Sequence, residues 1–209
     1  MNNNYDRIAP YYDVLSRMVF FRAQLKAQIE QLENIPANSR ILIVGGGTGW
    51  ILDEIAKMHP GGLNITYVEI SEKMLELSKK RDVKENTVTY VHTAAEDFKG
   101  RDSFDVILTA FLFDNFNAAR IDTVFNLLHS KLKPGGLWLF CDFYYQQGSG
   151  KTWKYFLLKT MYLFFNRISD VEAKELINTE GHFEAQHYVP IQIAYHYSGF
   201  IKAITYKKP

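Results

Sequence analysis

The run Gly45-Gly46-Gly47-Thr48-Gly49 is the densest concentration of residues able to hold a ligand with the main chain. It follows the apolar stretch Ile41-Leu42-Ile43-Val44 and precedes Trp50-Ile51-Leu52 and Ile55-Ala56, which repeat at helical spacing. Glycines between a strand and a helix permit positive φ and let a ligand approach the backbone closely. A dinucleotide fingerprint needs its third glycine at position 50, where Trp50 stands, and reading from Gly46 fails at Thr48. The spacing is G-x-G-x-G, at Gly45, Gly47 and Gly49. Trp50 would obstruct a pyrophosphate at the helix N-terminus, whereas a smaller ligand without phosphates tolerates it. Glu69 ends the second apolar run, and a carboxylate there can accept both hydroxyls of a ribose. Loop and acid together indicate a nucleoside. They do not separate NAD from other adenosyl ligands except through Trp50.

Other groups at the ends of expected strands can contact a substrate or take a proton: Asp114 and Asn115, then Asp142, Tyr144 and Tyr145. Asp114 and Tyr144 are the catalytic candidates, and loop solvation or helix capping accounts for either as well. His182, His187 and His196 lack the spacing of a metal site, and Cys141 sits in a run that reads as core, so no metal is indicated.

The elements that must position these residues alternate. Strands are expected at Ile41–Val44, Asn64–Ile70, Thr87–His92, Phe104–Phe111 and Leu137–Phe143. Helices are expected from Trp50 to the stop at Pro60-Gly61-Gly62, after an N-cap at Ser71, and along Ile121, Val124, Phe125, Leu128 and Leu132. Pro134-Gly135-Gly136 turns the chain into the fifth strand. Beyond the loop at residues 146–150, Thr152–Arg167 reads as an aromatic helix and Asp170–Thr179 as a polar one. Phe183–Tyr195 and Tyr197–Tyr206 read as two final strands. Strand–helix alternation through five strands predicts a doubly wound α/β domain with its ligand at the carboxyl ends of the strands, where strand order reverses.

The composition narrows the partners. With 209 residues the chain has the length of one domain, expected to span 1–209. Lys+Arg 24 against Asp+Glu 23 leaves a net charge of +1, so no nucleic-acid partner is expected. No targeting or transmembrane segment is visible, and the expected location is cytoplasmic. Aromatic residues reach 15%, with 15 Phe, 13 Tyr and 3 Trp, an excess that asks for a reason.

Four segments stand in order: Val44-Gly45-Gly46-Gly47-Thr48-Gly49, Val68-Glu69-Ile70-Ser71-Glu72-Lys73-Met74-Leu75, Phe104-Asp105-Val106-Ile107 and Leu132-Lys133-Pro134-Gly135-Gly136-Leu137. The series resembles the motifs of class I S-adenosylmethionine-dependent methyltransferases. The opening Tyr5-Asp6-Arg7-Ile8-Ala9-Pro10-Tyr11-Tyr12-Asp13 resembles the small-molecule branch, including the ubiquinone and menaquinone C-methyltransferases. The resemblance implies a seven-stranded, mostly parallel Rossmann-like sheet whose last strand, near Tyr197–Tyr206, inserts antiparallel. It also implies an N-terminal helical cap over about residues 5–33 and a helical lid after the fifth strand, over about residues 146–180.

The resemblance further implies roles. S-adenosyl-L-methionine would be the cofactor and S-adenosyl-L-homocysteine its product. Gly45, Gly46 and Gly47 would lie along the methionine and ribose portions, Glu69 would hold the ribose hydroxyls, and Ile70 would pack on adenine. Ala95 and Glu96 would border the other face or edge of the base, and Phe111 would approach the sulfonium. Two positions depart from the pattern: Ile43 stands where the family often carries an acid for the methionine amino group, and Ala94 where Asp commonly meets the adenine amino group. Each missing bond costs about 1.5–3 kcal/mol unless something replaces it. The aromatic stretch Trp153 to Phe165 would cover the acceptor, with Tyr11 and Tyr12, and suggests an apolar or aromatic acceptor or else a homodimer surface. Two alternatives to methyl transfer stand beside it: an NAD(P)-dependent oxidoreductase, and a non-catalytic adenosyl-ligand or lipid binder motivated by Ile43 and Ala94.

Overall fold

The computed structural model describes residues 22–100, 103–145, 160 and 176–209. The expected lid helix over Thr152–Arg167, the aromatic dimer surface and Tyr11 and Tyr12 of the N-terminal cap lie outside the described residues, apart from Thr160.

The chain builds α1 (Ala23–Ile29), β1 (Arg40–Val44), α2 (Trp50–Met58), β2 (Gly61–Glu69), α3 (Glu72–Ser78) and β3 (Glu85–His92). It continues through β4 (Phe104–Ala110), α4 (Ala118–Lys131), β5 (Leu132–Phe143), α5 (Glu180–Ala185), β6 (Val189–His196) and β7 (Ile201–Lys207). The seven strands form one sheet in the order β3-β2-β1-β4-β5-β7-β6. Neighbours from β3 to β5 pair parallel, while β7 runs antiparallel between β5 and β6. Strand order reverses between β1 and β4, so their carboxyl ends open a crevice there.

Alternation along β1 fixes the two layers. Leu42 and Val44 face a cluster shared with Val124, Phe125 and Leu128 of α4, and Ile41 and Ile43 face Ile51, Leu52 and Ile55 of α2. Every one of these is buried, as a central parallel strand covered on both faces requires. Ser71 caps α3 as its sequence position predicts, its hydroxyl accepting from the Met74 N–H at 3.2 Å.

Several boundaries differ from expectation. Helix α2 stops at Met58, just before Pro60-Gly61-Gly62 as expected, but Gly61 and Gly62 already belong to β2, which they open with an irregularity before Asn64. Pro134-Gly135-Gly136 is likewise a bulge inside β5, between the Leu132–Phe104 and Leu137–Val106 pairs. Phe111 leaves β4 with φ 51. Leu176–Thr179, expected at the end of a polar helix, is irregular. The larger correction is Phe183, expected on a strand and found on α5.

Tertiary packing explains that correction. Phe183 is fully buried, stacked on Tyr206 at 4.0 Å and edge-on to Phe125 at 4.9 Å and to Trp138 at 5.1 Å. A single turn of helix docks this ring into an aromatic layer over β5 and β7, and no local periodicity announces it. Phe113, Phe116, Tyr188 and Tyr206 are buried in the same layer, so much of the aromatic excess is core. Aromatic pairs of this geometry add about 0.5–1.5 kcal/mol each beyond area burial. Replacing Phe183 by Ala is expected to cost about 3–5 kcal/mol. Urea unfolding of F183A measures it, and a loss below about 1 kcal/mol contradicts the packing described.

Candidate active site

The loop after β1 is held open by backbone geometry and tied down by one carboxylate. Gly45, Gly47 and Gly49 take φ of 70, 63 and 78, the left-handed region that glycine occupies without strain. At the end of β2, Glu69 is 5% exposed. Its Oε2 accepts the Gly47 N–H at 2.8 Å and its Oε1 the Ser71 N–H at 2.8 Å. Burial raises the Glu69 pKa, and these N–H groups, with that of Ile70 and the nearby His92, work against the rise. Tyr67, fully buried beneath the loop, donates its hydroxyl to the Gly47 carbonyl at 3.0 Å. A Cβ on Gly46 would stand 2.2 Å from the Tyr67 ring, so only glycine fits there.

A cleft of about 1100 Å³, measured out to its open mouth, runs across the carboxyl ends of the strands. Gly45, Gly46, Gly47, Glu69, Ile70 and Ala95 lie on its walls, with Phe111 at the β4 end. Glu96 does not. It follows Ala95, and its carboxylate pairs with Arg120 at 3.1 Å; the Arg120 side chain reaches the wall and lies 4.1 Å over the Phe116 ring. The left-handed turn at Phe111 places its N–H 2.8 Å from the Cys141 carbonyl and its ring 4.9 Å from Phe143. Trp50 occupies the cleft at the start of α2, where a third dinucleotide glycine would stand.

The cleft suits an adenosyl ligand. Ile70 and Ala95 offer apolar walls for a base, Glu69 an acceptor for ribose hydroxyls, and Phe111 an aromatic face for a sulfonium. The side of Gly47 where a Cβ would project meets only Met74 Sδ, at 3.9 Å, leaving room beside the loop. Asn115, named from the sequence, lines the cleft; Thr93 and Arg120 also line it and escaped the sequence reading. So did Gln24 and Gln28 of α1, although glutamines at 24, 28 and 31 recur at helical spacing, a polar stripe that could have been noticed.

Behind the Phe111 end lies a pair of acids. The Asp114 N–H donates to Asp142 Oδ2 at 3.3 Å and the Phe143 N–H to Asp142 Oδ1 at 2.8 Å. Asn115 on the cleft wall donates to Asp114 Oδ1 at 2.8 Å and to the Phe111 carbonyl at 2.9 Å. Burial pushes the Asp114 carboxyl up to about 7, and burial together with Asp114 holds Asp142 well above the usual range. Two carboxyls so placed favour retaining a proton at neutral pH. Asp114 therefore stands one residue behind the wall. Tyr144 lines a neighbouring hollow with Asp142 and Lys202, whose ammonium lies 4.8 Å over the Tyr144 ring and 2.8 Å from Glu180. His182 pairs with Asp122 at 2.7 Å and His196 with Glu30 at 3.2 Å. Among the described residues no cluster could hold a metal ion.

These contacts give two expected outcomes. G46A must push against the buried Tyr67 ring and loses about 1–3 kcal/mol in urea unfolding, with a smaller loss when Tyr67 is also Ala. Stability near wild type in G46A alone contradicts the close approach. An ordinary unfolded Asp titrates at about 3.9. A folded value raised to about 7 means the folded state binds more protons, so stability falls as pH rises between those values and levels off above. D114N removes part of that fall, and equal slopes for the two proteins in unfolding between pH 4.5 and 8 contradict it.

Comparison with known proteins gives the family. Residues 41–136, from β1 to the bulge in β5, match a methyltransferase domain family. The chain is 31% identical over 170 residues to a ubiquinone/menaquinone biosynthesis C-methyltransferase of Geotalea daltonii, covering 77% of this chain and 67% of that one. It is 31% identical over 153 residues to the enzyme of that name from Rhodopseudomonas palustris, covering 68% of this chain and 59% of the relative. Its fold superposes with TM-score 0.67 on the Burkholderia thailandensis 1,6-didemethyltoxoflavin-N1-methyltransferase, at 15% identity over 97% of this chain and 85% of that one. These relationships set aside the oxidoreductase alternative that the glycine loop and Glu69 alone left open. The chain belongs to the class I S-adenosylmethionine-dependent methyltransferases of small molecules.

Proposed function

We propose that S-adenosylmethionine lies across the cleft with its ribose on Glu69, its adenine between Ile70 and Ala95, and its sulfonium beside Phe111. A small apolar or aromatic acceptor then meets the methyl group at the Phe111 end. The observation that carries this reading is the Glu69 carboxylate, fastened at 2.8 Å to both Gly47 and Ser71 and facing the cleft. When bound, the cofactor supplies a methyl group already electrophilic on sulfur, so transfer is an in-line displacement. The protein's part is then positioning and exclusion of water.

The residues divide that work. The loop and Glu69 fix the ribose, so the sulfonium end has one place to go. Phe111, Leu112 and Phe116 make that end apolar and aromatic, a surface that removes water from reacting atoms and suits a flat, greasy acceptor. An acceptor that must shed a proton needs a base nearby, and the Asp114–Asp142 pair stands behind Asn115 with one proton to gain or lose around neutrality. In this reading Asp114 orients the Asn115 amide on the cleft wall rather than taking the proton through it, and Tyr144 belongs to the far side of the pair. Relatives named for ubiquinone and menaquinone biosynthesis, and a structural neighbour named for a toxoflavin precursor, support an acceptor of this kind. Among the described residues no helix is long and apolar enough to cross a membrane.

Titration calorimetry with S-adenosylhomocysteine tests the placement. Wild type is expected to bind it, and E69A to bind it at least about tenfold more weakly. The substitution removes the ribose acceptor and also releases the Gly47 and Ser71 N–H groups. No detectable binding by wild type, or unchanged affinity in E69A, overturns the reading.

A further inference from the structure

The cleft has a polar end that none of the assignments above uses. Gln24 and Gln28 of α1 are 9% and 7% exposed, and both lie on its wall. A buried side-chain amide costs about 1–3 kcal/mol unless something answers it. Gln31, one turn further on, is answered by the protein: its Nε2 donates to the Phe140 carbonyl at 3.2 Å and anchors the helix to β5. Gln28 Nε2 reaches only the Gln24 carbonyl at 3.3 Å, which orients the amide and leaves its oxygen over. Among the described residues no group bonds the Gln24 side chain.

Position and chemistry agree on what should answer them. Helix α1 packs against β5, β6, β7 and α2, so its amides enter the cleft on the β4 side of the switch point, away from the apolar Ile70–Ala95 slot. A ligand whose ribose rests on Glu69 sends its base one way and its amino-acid tail the other. The tail carries an ammonium and a carboxylate, and an amide offers an oxygen to the first and an N–H to the second. Ile43, fully buried and in one cluster with Leu32 and Ile35, which follow α1, offers neither.

Resting on the cofactor placement proposed above, we infer that Gln24 and Gln28 bind the amino-acid end of the S-adenosyl ligand through a pair of neutral amides. They take the place of the acidic side chain that Ile43 lacks. Recognition of the tail in this chain is then dipolar rather than charge-paired.

Calorimetry with two ligands on the full chain tests this: S-adenosylhomocysteine, which has the tail, and 5′-methylthioadenosine, which lacks it. Wild type is expected to bind the first more tightly. Q24M/Q28M is expected to lose about tenfold or more for S-adenosylhomocysteine while its affinity for methylthioadenosine stays within about twofold. Each single variant, of nearly the same side-chain length, reads the same difference if the double variant unfolds. Equal losses for both ligands, or no loss for either, overturns the amide assignment and leaves the Glu69 placement standing. Wild type binding neither ligand overturns both; where wild type binds, E69A is expected to weaken both ligands together, and unchanged affinity for both in E69A overturns the Glu69 placement.

Discussion

The carboxylate of Glu69 joins three pieces of chain that must meet for the cleft to exist. It ends β2, its oxygens hold the peptide of Gly47 in the loop after β1, and they hold the N–H of Ser71 where α3 begins. A buried carboxylate without donors would be costly or neutral. With backbone N–H groups aimed at it, the same group becomes a staple between two strand ends. Tyr67 completes the fastening from below by holding the Gly47 carbonyl, so that peptide is gripped on both sides. The ligand therefore meets a loop already in place and loses less entropy in ordering it.

The far half of the sheet serves a different need. Inserting β7 antiparallel between β5 and β6 presents Tyr206 to the face covered by α4 and α5, where Trp138, Phe125 and Phe183 interlock. This layer packs over β5, and β5 ends in Asp142 and Phe143, which back the Phe111 end of the cleft. The aromatic excess thus has a structural use beside any contact with an acceptor. Asp142 accepts from the Asp114 N–H, and Asp114 keeps Asn115 on the wall.

The cleft is graded in polarity along its length. Its Ile70–Ala95 end is apolar with the Arg120 side chain beside it, its middle carries one carboxylate, and its α1 side carries amides, while the Phe111 end returns to aromatic surface. Such grading orients an asymmetric ligand because each wrong placement buries a polar group without a partner.

The glycine loop, Glu69, the Ser71 cap and the parallel strands were legible in the sequence because each depends on neighbours a few residues away. Left-handed φ calls for glycine, capping for a hydroxyl, and a doubly covered strand for an unbroken apolar run. Phe183 on a helix, the turn at Phe111, the amides of Gln24 and Gln28 and the Asp114–Asp142 pair were not legible as a site. Each takes its meaning from a partner far along the chain: Tyr206 for Phe183, Cys141 for Phe111, the cleft itself for the glutamines. The sequence by itself determined the family pattern and the glycine-loop and Glu69 part of the cleft, through short-range backbone chemistry. Only the tertiary structure decided which buried polar groups face the cleft, because burial and pairing arise when the sheet brings distant strand ends together.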